Sequence, residues 1–428
     1  MKTRINITPK VLASTLMGLA IALLAGPGWG QQRKKRPGPI AVSFQQALRL
    51  ASKAPGDASA RQRELVFRRD ADDEISLLDQ NPVLQLQPGA RIAPGEERGF
   101  EGQVSLSQSF NLAQPGPTRS RAAARERDVL AEQVEAALLE RRIETARRWL
   151  DLWQLAQAAK LLRAEQELAR ELTKTMSHAV SAGVRTQPDL LEAESYESGV
   201  ARRELDLEGA IFETRTELAT LMGISPRRTI RPVGGPPAGI SPSVKELRTL
   251  HARLDQLPSV RVHRLSEVAA KARAEEAEAM AGTRLGVGVI AARESPNAVM
   301  LFGTVTLTPA IFERGQRSRS KQEGEAVRQR SLQQEAQLKA ERAFAEAVHE
   351  VEHQSRGAKL LATKVIPRRE RLVAFRRQQL EAGTSTVFAL LRARRDLLEA
   401  QKRQLDTQRR LAWARVTLRV FVTELASR

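Results

Sequence analysis

One short stretch of this 428-residue chain has the residue types and spacing of a catalytic metal site. His349-Glu-Val-Glu-His353 matches the pattern H-E-x-x-H. On a helix the two histidines lie one turn apart on one face, where they can bind zinc while the glutamate acts as general base. A third ligand is not evident downstream, and the flanking residues are polar and helix-forming. We therefore expect no enzyme and no resident metal or cofactor, and His349 and His353 remain candidates for loose metal binding.

The elements that would carry such a motif are long helices. Between Pro117 and about Ser181 there is no further proline and no glycine, so a single helix of about 100 Å is predicted. Apolar residues spaced by three and four, ending in Leu150 and Trp153, are typical of helices that pack side by side. With Trp149 they are predicted to fill a helix interface. Further long helices are predicted over 188–222, over 315–382 with a bend or break near Pro367, and over 386–425.

A turn occurs twice in the chain. Ala182-Gly183 and Ala382-Gly383 are each followed by small polar residues and then by a helix-forming run. Glycine adopts the left-handed conformation that ends a helix, and Thr186 and Thr386 can cap the helix that follows. Each copy predicts a tight turn between two antiparallel helices.

The recurrence of this turn predicts that the chain folds as two similar halves of one structure. The first half is assigned to residues 31–223 and the second to 243–428, with a linker rich in proline and glycine over 224–242. Each half is predicted to contain, in order, a helix, a pair of strands, a long helix, a turn and a second long helix. Polar helices are included over Ala58–Asp79 and from Ser243 to Met280, the latter interrupted at Leu257-Pro258.

The N-terminus predicts export. Lys2 and Arg4 precede an apolar run, and small residues follow it, as in a secretory signal peptide over residues 1–30. The net charge is +19, but most basic residues alternate with acidic ones along helices, so no nucleic-acid partner is expected. Runs such as Arg394-Arg395-Asp396 and Arg409-Arg410 are interpreted as solvated helix faces. The absence of cysteine excludes disulfides.

Four segments alternate in the manner of strands, over about 83–92, 102–112, 284–292 and 299–309. In the second of them, Val104, Leu106 and Phe110 share one face, on which Gln108 is the polar exception. Each segment has the length of one tilted crossing of an outer membrane. Strands in lipid require a closed barrel, and four are too few, so several chains must each contribute a share.

Several motifs, in this order, resemble the TolC family, the outer-membrane factors of tripartite efflux and secretion systems. The opening helix is Ser43-Phe44-Gln-Gln-Ala-Leu-Arg-Leu-Ala51. The junctions from strand to helix are Leu106-Ser-Gln-Ser-Phe110 and Leu307-Thr-Pro-Ala-Ile-Phe312-Glu-Arg-Gly-Gln316. The two turns, and Leu218-Ala-Thr-Leu221-Met-Gly223 at the end of the first half, complete the likeness.

The resemblance implies a mainly α fold with a small β part and a two-fold internal repeat. Long antiparallel hairpins would form a periplasmic α-barrel, and each chain of a homotrimer would add four strands to one transmembrane β-barrel in outer-membrane lipid. The partners implied are a periplasmic adaptor protein and an inner-membrane pump, for which the RND type is favoured. The helix tips would face the adaptor and form the gate; the assigned tip residues are Ala182, Gly183, Val184, Arg185, Thr186, Asp189, Glu192, Ala382, Gly383, Thr384, Ser385, Thr386 and Arg392.

The chain departs from the family's pattern in two places. Acidic residues that narrow the mouth near the second tip of other members are here Ala389 and Arg392, while Asp189 and Glu192 remain on the first tip. A weaker acidic ring, or salt bridges between the tips, would follow. The strands also lack the tyrosine and tryptophan girdle usual at membrane interfaces.

The sequence therefore predicts a passive outer-membrane channel of an efflux system, extending into the periplasm and gated at its helix tips. Export of metals or small toxic compounds is favoured. Two alternatives stay open: the outer-membrane component of type I protein secretion, and a soluble periplasmic coiled-coil scaffold. The four alternating segments distinguish a membrane channel from a soluble scaffold, because a scaffold does not need strands of membrane-crossing length.

Overall fold

The part of the chain from Pro39 onward folds as one unit built mainly of helices. The structure, a computed structural model, describes residues 38–54, 81–91, 99–237, 242–294 and 298–426. The predicted signal peptide and the helix predicted over Ala58–Asp79 lie outside these ranges.

Eight α-helices are found in the described ranges. Their bounds are α1 Phe44–Ala51, α2 Gly116–Ser181, α3 Gln187–Leu221, α4 Val244–His251, α5 Pro258–Met280, α6 Gln316–Leu360, α7 Ile366–Glu381 and α8 Val387–Ala426. Helix α2 has 66 residues, which corresponds to about 100 Å. Helices α2 and α3 pack against each other as one hairpin and α7 and α8 as another, while α5 packs between α2 and α6. None of the helices described is long and apolar enough to cross a membrane.

Four strands form one antiparallel sheet in the order β2-β3-β5-β6. Their bounds are β2 Val83–Arg91, β3 Gly99–Asn111, β5 Arg284–Glu294 and β6 Ala298–Thr308. The pairing of β3 with β5, with Leu106 opposite Val289, joins the strands that precede α2 to those that precede α6. The two strand pairs predicted from the sequence are thus one continuous sheet.

Two further strands are too short for their alternation to be recognised in the sequence. β1 (Ile40–Val42) and β4 (Ile230–Pro232) pair in parallel, so a strand lies inside the segment that was predicted to be only a linker. The indole N–H of Trp149 donates to the carbonyl oxygen of Val42 at 3.0 Å and so fixes β1 on helix α2.

The same capping chemistry starts the first helix of each predicted half. Ser43 caps α1, and its amide donates to Oε1 of Gln46 at 2.9 Å. Ser243 caps α4, and its amide donates to Oε2 of Glu246 at 2.7 Å. These bonds from Ser243 hold the pKa of Glu246 below its usual value. Each capping box satisfies amides that a helix N-terminus would otherwise leave without acceptors.

The long helix predicted over 315–382 is divided next to its proline. A π-helical turn, Leu361–Val365, separates α6 from α7. Pro367 has no N–H to donate to the carbonyl of Thr363, and a π turn is the local rearrangement that accommodates such a missing bond.

The largest side chains of α2 lie in the interior, as predicted. Trp149 and Leu150 are buried, and Trp153 is 8% exposed. Trp149 meets the ring of Phe44 edge-on, with centroids 5.4 Å apart. This cluster brings α1, α2, α3 and α8 together around the two short strands.

The interpretation of two charge runs as solvated faces is wrong for one arginine in each. Arg394 of α8 lies 3.5 Å from Oε2 of Glu165, and Arg409 lies 3.0 Å from Oδ1 of Asp151. Both carboxylates belong to α2, and the two arginines are partly buried. The runs thus supply contacts between helices, which no local pattern reveals.

Candidate functional site at the helix tips

The two predicted turns have the same backbone geometry. Gly183 and Gly383 both have φ of +72°, the left-handed region. The amide of Gly183 donates to the Val180 carbonyl at 3.0 Å, and that of Gly383 to the Leu380 carbonyl at 3.1 Å. The next amide in each turn, of Val184 or Thr384, donates five residues back at 2.9 Å. These are the paired bonds of a Schellman cap, so each glycine is required by its backbone angle.

Arg185 of the first tip binds the backbone of the second. Its Nη2 donates to the carbonyl oxygen of Leu380 at 2.8 Å, and its Nη1 donates to that of Ser385 at 3.4 Å. Leu380 lies in the last turn of α7, where carbonyl groups lack helical partners and carry partial negative charge. A half-buried guanidinium therefore holds the two tips together.

Asp189, predicted as a gate acid, serves as a helix cap. Its Oδ2 accepts from the amide of Thr186 at 3.2 Å and from the Thr186 hydroxyl at 2.8 Å. In the second tip the hydroxyl of Thr386 accepts from the amide of Ala389 at 3.3 Å. Because Ala389 stands where the first tip has Asp189, the reciprocal carboxylate bond is missing there. The second cap is consequently weaker.

Glu192 and Arg392 occupy matching positions of the two tips, and both side chains are exposed. No ion pair joins the two tips in the described ranges, so the predicted salt bridge is not what connects them. The observed link is the contact of Arg185 with backbone carbonyls. Ala182, Thr384 and the exposed Val184 complete the surface of the turns.

A polar cluster that the sequence does not predict lies under the tips. The Tyr196 hydroxyl of α3 donates to Oε1 of Glu165 at 2.5 Å, and Arg394 of α8 approaches the other oxygen of the same carboxylate. Burial raises the pKa of Tyr196 well above its ordinary value, and the bond to Glu165 raises it further. The three residues come from three helices, so no local spacing could have identified them.

Apolar side chains from both hairpins surround this cluster. They include Leu162 and Met176 of α2, Ala193 of α3, and Leu390 and Leu391 of α8. All of these are buried, whereas Leu191, the residue of the first tip that corresponds to Leu391, is 55% exposed. The two tips therefore share a core but present different outer surfaces.

At the other end of the fold, the sheet has one mainly apolar face and one more polar face. Directly paired residues lie on the same side of an antiparallel sheet. The apolar face carries Leu84, Leu86, Val104, Leu106, Val287, Val289, Leu301, Val305 and Leu307. The opposite face carries Gln87, Gln103, Ser105, Ser107, Thr304 and Thr306, together with the apolar Ile290, Met300 and Phe302. Leu301 is 73% exposed and Val305 75%, so the apolar face is uncovered in a single chain.

The histidine motif lies on the surface of α6. The rings of His349 and His353 stack with centroids 5.7 Å apart, and both are exposed. Glu350 accepts from Nε2 of Gln354 at 2.7 Å, and Glu352 pairs with Arg356 at 2.6 Å. Among the residues described, no group of three or more ligating side chains surrounds a common point. The arrangement offers two ligands on an open face.

Long helical hairpins that carry an amphipathic, four-stranded sheet define the fold of the described residues. Comparison with solved structures supports this assignment of the fold. The outer-membrane protein VceC from Vibrio cholerae superposes with a TM-score of 0.62 at 15% identity, over 89% of this chain and 95% of that one. CusC, whose structures describe folding and transmembrane channel formation, gives 0.70 at 14% identity, over 94% and 95%. The open state of the MtrE outer-membrane channel from Neisseria gonorrhoeae gives 0.64 at 17%, over 89% and 88%.

A comparison with models of protein families finds no match, and neither does one with the sequences of curated proteins. The identities to the solved structures are low, so what they establish is the fold. The resemblance to TolC-like channels is confirmed at that level, as is the mainly helical class. The closed barrel and the internal repeat stay predictions.

Proposed function

We propose that this chain is the outer-membrane channel of a tripartite efflux system, a passive conduit without catalysis of its own. One observation carries the proposal: the exposed apolar face of the sheet β2-β3-β5-β6, set on helices of which α2 is about 100 Å long. An apolar surface of this size needs cover, and strands of 9–13 residues match the thickness of an outer membrane. Of the similar structures named above, VceC is an outer-membrane protein and MtrE an outer-membrane channel, and the CusC structures concern transmembrane channel formation.

A homotrimer would complete the barrel. Strands β2 and β6 are the outer strands of the sheet, and each has an edge without a strand partner in the described part of the chain. In lipid such an edge is untenable, because its amide and carbonyl groups have no water to bind. Pairing β6 of one copy with β2 of the next satisfies both edges and encloses the polar face as a lumen.

The gate would lie at the helix tips. Arg185 holds the first hairpin to the second, and the buried cluster of Glu165, Tyr196 and Arg394 ties three helices just above that contact. Separating the hairpins requires the contacts of Arg185 to break, which gives the closed state a definite barrier. A periplasmic adaptor that binds the tips, driven by an inner-membrane pump of the RND type, would supply the energy.

A soluble scaffold is disfavoured by the exposed apolar sheet. Secretion of proteins by a type I system uses a conduit of the same design, so the substrate decides between these two functions. We favour small toxic compounds or metals as substrates.

The test is expression with native export and fractionation of the cell envelope. We expect the processed chain in the outer-membrane fraction, extractable only with detergent, as a trimer that forms conducting pores in planar bilayers. A deletion strain should regain resistance to exported compounds when the chain is restored with its own adaptor and pump. A water-soluble monomer that forms no pores would overturn the proposal.

A further inference from the structure

Helix α3 carries a row of uncovered apolar side chains on the side opposite its core face. Leu191, Leu205 and Phe212 are 55%, 68% and 60% exposed. Their spacing in multiples of seven puts them in one line, with Ser198 at the position between the first two. Small and apolar residues in such a line are typical of a seam against another helix.

Acidic residues flank this row on both sides. They are Glu192, Glu194, Asp206, Glu208 and Glu213, and all are exposed. None has an ion-pair partner within the described ranges, whereas Glu204, on the core side, faces Arg163 at 3.5 Å. Helix α3 has nine acidic and three basic residues. Of the basic residues, Arg202 is exposed beside the row, and the Arg215 guanidinium lies 5.5 Å from the centroid of the Phe212 ring, so the surface is predominantly acidic. We call this surface the acidic face of α3.

Helix α7 presents the complementary surface. Leu372 and Phe375 are 42% and 53% exposed, and Arg368 and Arg371 beside them are exposed without a carboxylate partner in the part of the chain described. The helix has five basic and two acidic residues. It packs mainly on α8, so its outer side is free in a single chain. We call this surface the basic face of α7.

The contact between the tips sets the register in which these faces could meet. Arg185 brings the start of α3 and the end of α7 together. Both helices extend from the tips toward the sheet, and their chain directions are antiparallel. Leu191 is four residues above the start of α3, and Phe375 is six residues above the end of α7. At about 1.5 Å per residue the two lie within about 3 Å of one level. By the same calculation the levels of Glu194 and Arg371 along the helix axes differ by about 5 Å.

We propose that the acidic face of α3 docks on the basic face of α7 in the neighbouring copy, with Leu191 against Phe375 and Glu194 beside Arg371. The inference rests on the trimer proposed above, and it names the helices that join its copies below the barrel. A rotation axis parallel to the helices leaves each residue at its own level, so the register found within one chain also holds between chains. The charges on the two faces are opposite in sign, which favours this pairing over like with like.

Cysteine crosslinking tests the pairing directly, because the chain has no cysteine of its own. The double variant Leu191→Cys with Phe375→Cys is treated in the purified trimer with a thiol crosslinker of about 8–10 Å, the separation of packed helix axes. We expect covalent dimers and trimers on denaturing gels, and monomers from each single variant. The matched control is Phe212→Cys with Phe375→Cys, whose levels differ by about 28 Å.

The outcomes separate this inference from the proposed function. Trimers that conduct but give no crosslink at 191 and 375, or equal crosslinking of the control, would overturn the docking and leave the channel intact. A chain that never forms trimers would overturn the channel itself. Crosslinking to an added adaptor in place of a second copy would reassign the acidic face of α3.

Charge reversal supplies a second measurement. Glu194→Lys should reduce the trimer fraction several-fold at low ionic strength, and the effect should shrink as salt screens it. Adding Arg371→Glu in the same chain should restore the trimer, because the pair is then reversed rather than broken. Lack of rescue would count against contact between these residues.

Discussion

Arg185 and Leu380 are joined by a hydrogen bond of 2.8 Å in which a side chain of one helix tip binds the backbone of the other. The acceptor is a carbonyl at the C-terminal end of α7, where the helix dipole favours a cation. The same oxygen also accepts from the amide of Gly383 at 3.1 Å. One backbone group thus serves both the turn of the second tip and the connection to the first.

Replacing Arg185 should loosen the connection between the two tips. In Arg185→Ala both bonds to the second tip are lost, and bonds from charged donors contribute about 1.5–3 kcal/mol each when well formed. We expect a larger open fraction in planar bilayers and greater sensitivity of cells to large antibiotics. Arg392→Ala is the matched control, since it removes an exposed tip charge that has no ion pair among the described residues. Equal leakage in both variants would show that charge alone, rather than the contact, matters.

The turn glycines are expected to tolerate asparagine better than alanine or valine. A side chain at Gly183 or Gly383 meets no atom within 4 Å, so only the positive φ opposes substitution. The left-handed conformation costs about 1–2 kcal/mol for most residues and less for asparagine. Gly383→Ala should therefore lower the thermal stability of the tips. Gly324→Ala, in an open stretch of α6, should instead stabilise by about 1 kcal/mol. Equal effects at both sites would contradict this account.

Because of Tyr196, the stability of the folded protein is expected to depend on pH in the alkaline range. Its folded pKa lies above the ordinary value of 10.0, since burial and the bond to Glu165 both disfavour the phenolate. The resulting stability is complete below about pH 10 and is lost as pH rises beyond it, because only the unfolded state ionises readily there. Tyr196 is the only tyrosine, so its ultraviolet absorbance reports this titration alone.

The variant Tyr196→Phe checks the same relationship. It leaves Oε1 of Glu165 without its 2.5 Å donor and should cost about 1–3 kcal/mol of unfolding free energy at neutral pH. Above pH 10 the difference from the parent protein should narrow. A tyrosine that titrates at its ordinary value in the folded protein would contradict the cluster.

The sheet offers a test of which face meets lipid. Leu106 and Ser107 are adjacent, exposed and on opposite faces of β3. Arginine at a lipid-facing position near the bilayer centre costs about 2–4 kcal/mol, and arginine in the lumen costs little. We expect Leu106→Arg to lower the amount of trimer in outer membranes, while Ser107→Arg leaves it unchanged and alters ion selectivity. The opposite result would invert the assignment of the faces.

The histidine pair on α6 is expected to play no part in export. Two imidazoles one turn apart can hold Cu²⁺ or Ni²⁺ loosely, but their neighbouring carboxylates are occupied by Gln354 and Arg356. His349→Ala with His353→Ala should abolish weak metal binding seen by calorimetry and leave the resistance of cells unchanged. A loss of resistance would give the pair a function in transport.

What the sequence could predict is what depends on neighbouring residues. The turn at Gly183 follows from glycine, threonine and proline within a few positions, and the faces of β3 follow from simple alternation. The partners of Arg185 could not be predicted, because they are backbone oxygens 195 and 200 residues away. Glu165, Tyr196 and Arg394 were missed for the same reason, as was the pairing of two strands of three residues each.

Because Leu380 and Ser385 contribute main-chain oxygens to the bond from Arg185, no side-chain replacement at either position deletes the acceptor. Among these three residues, only a substitution of Arg185 can therefore remove a bonding group from the connection between the tips. In a random selection for leaky cells, substitutions that act through this bond should recur at codon 185 and be rare at codons 380 and 385.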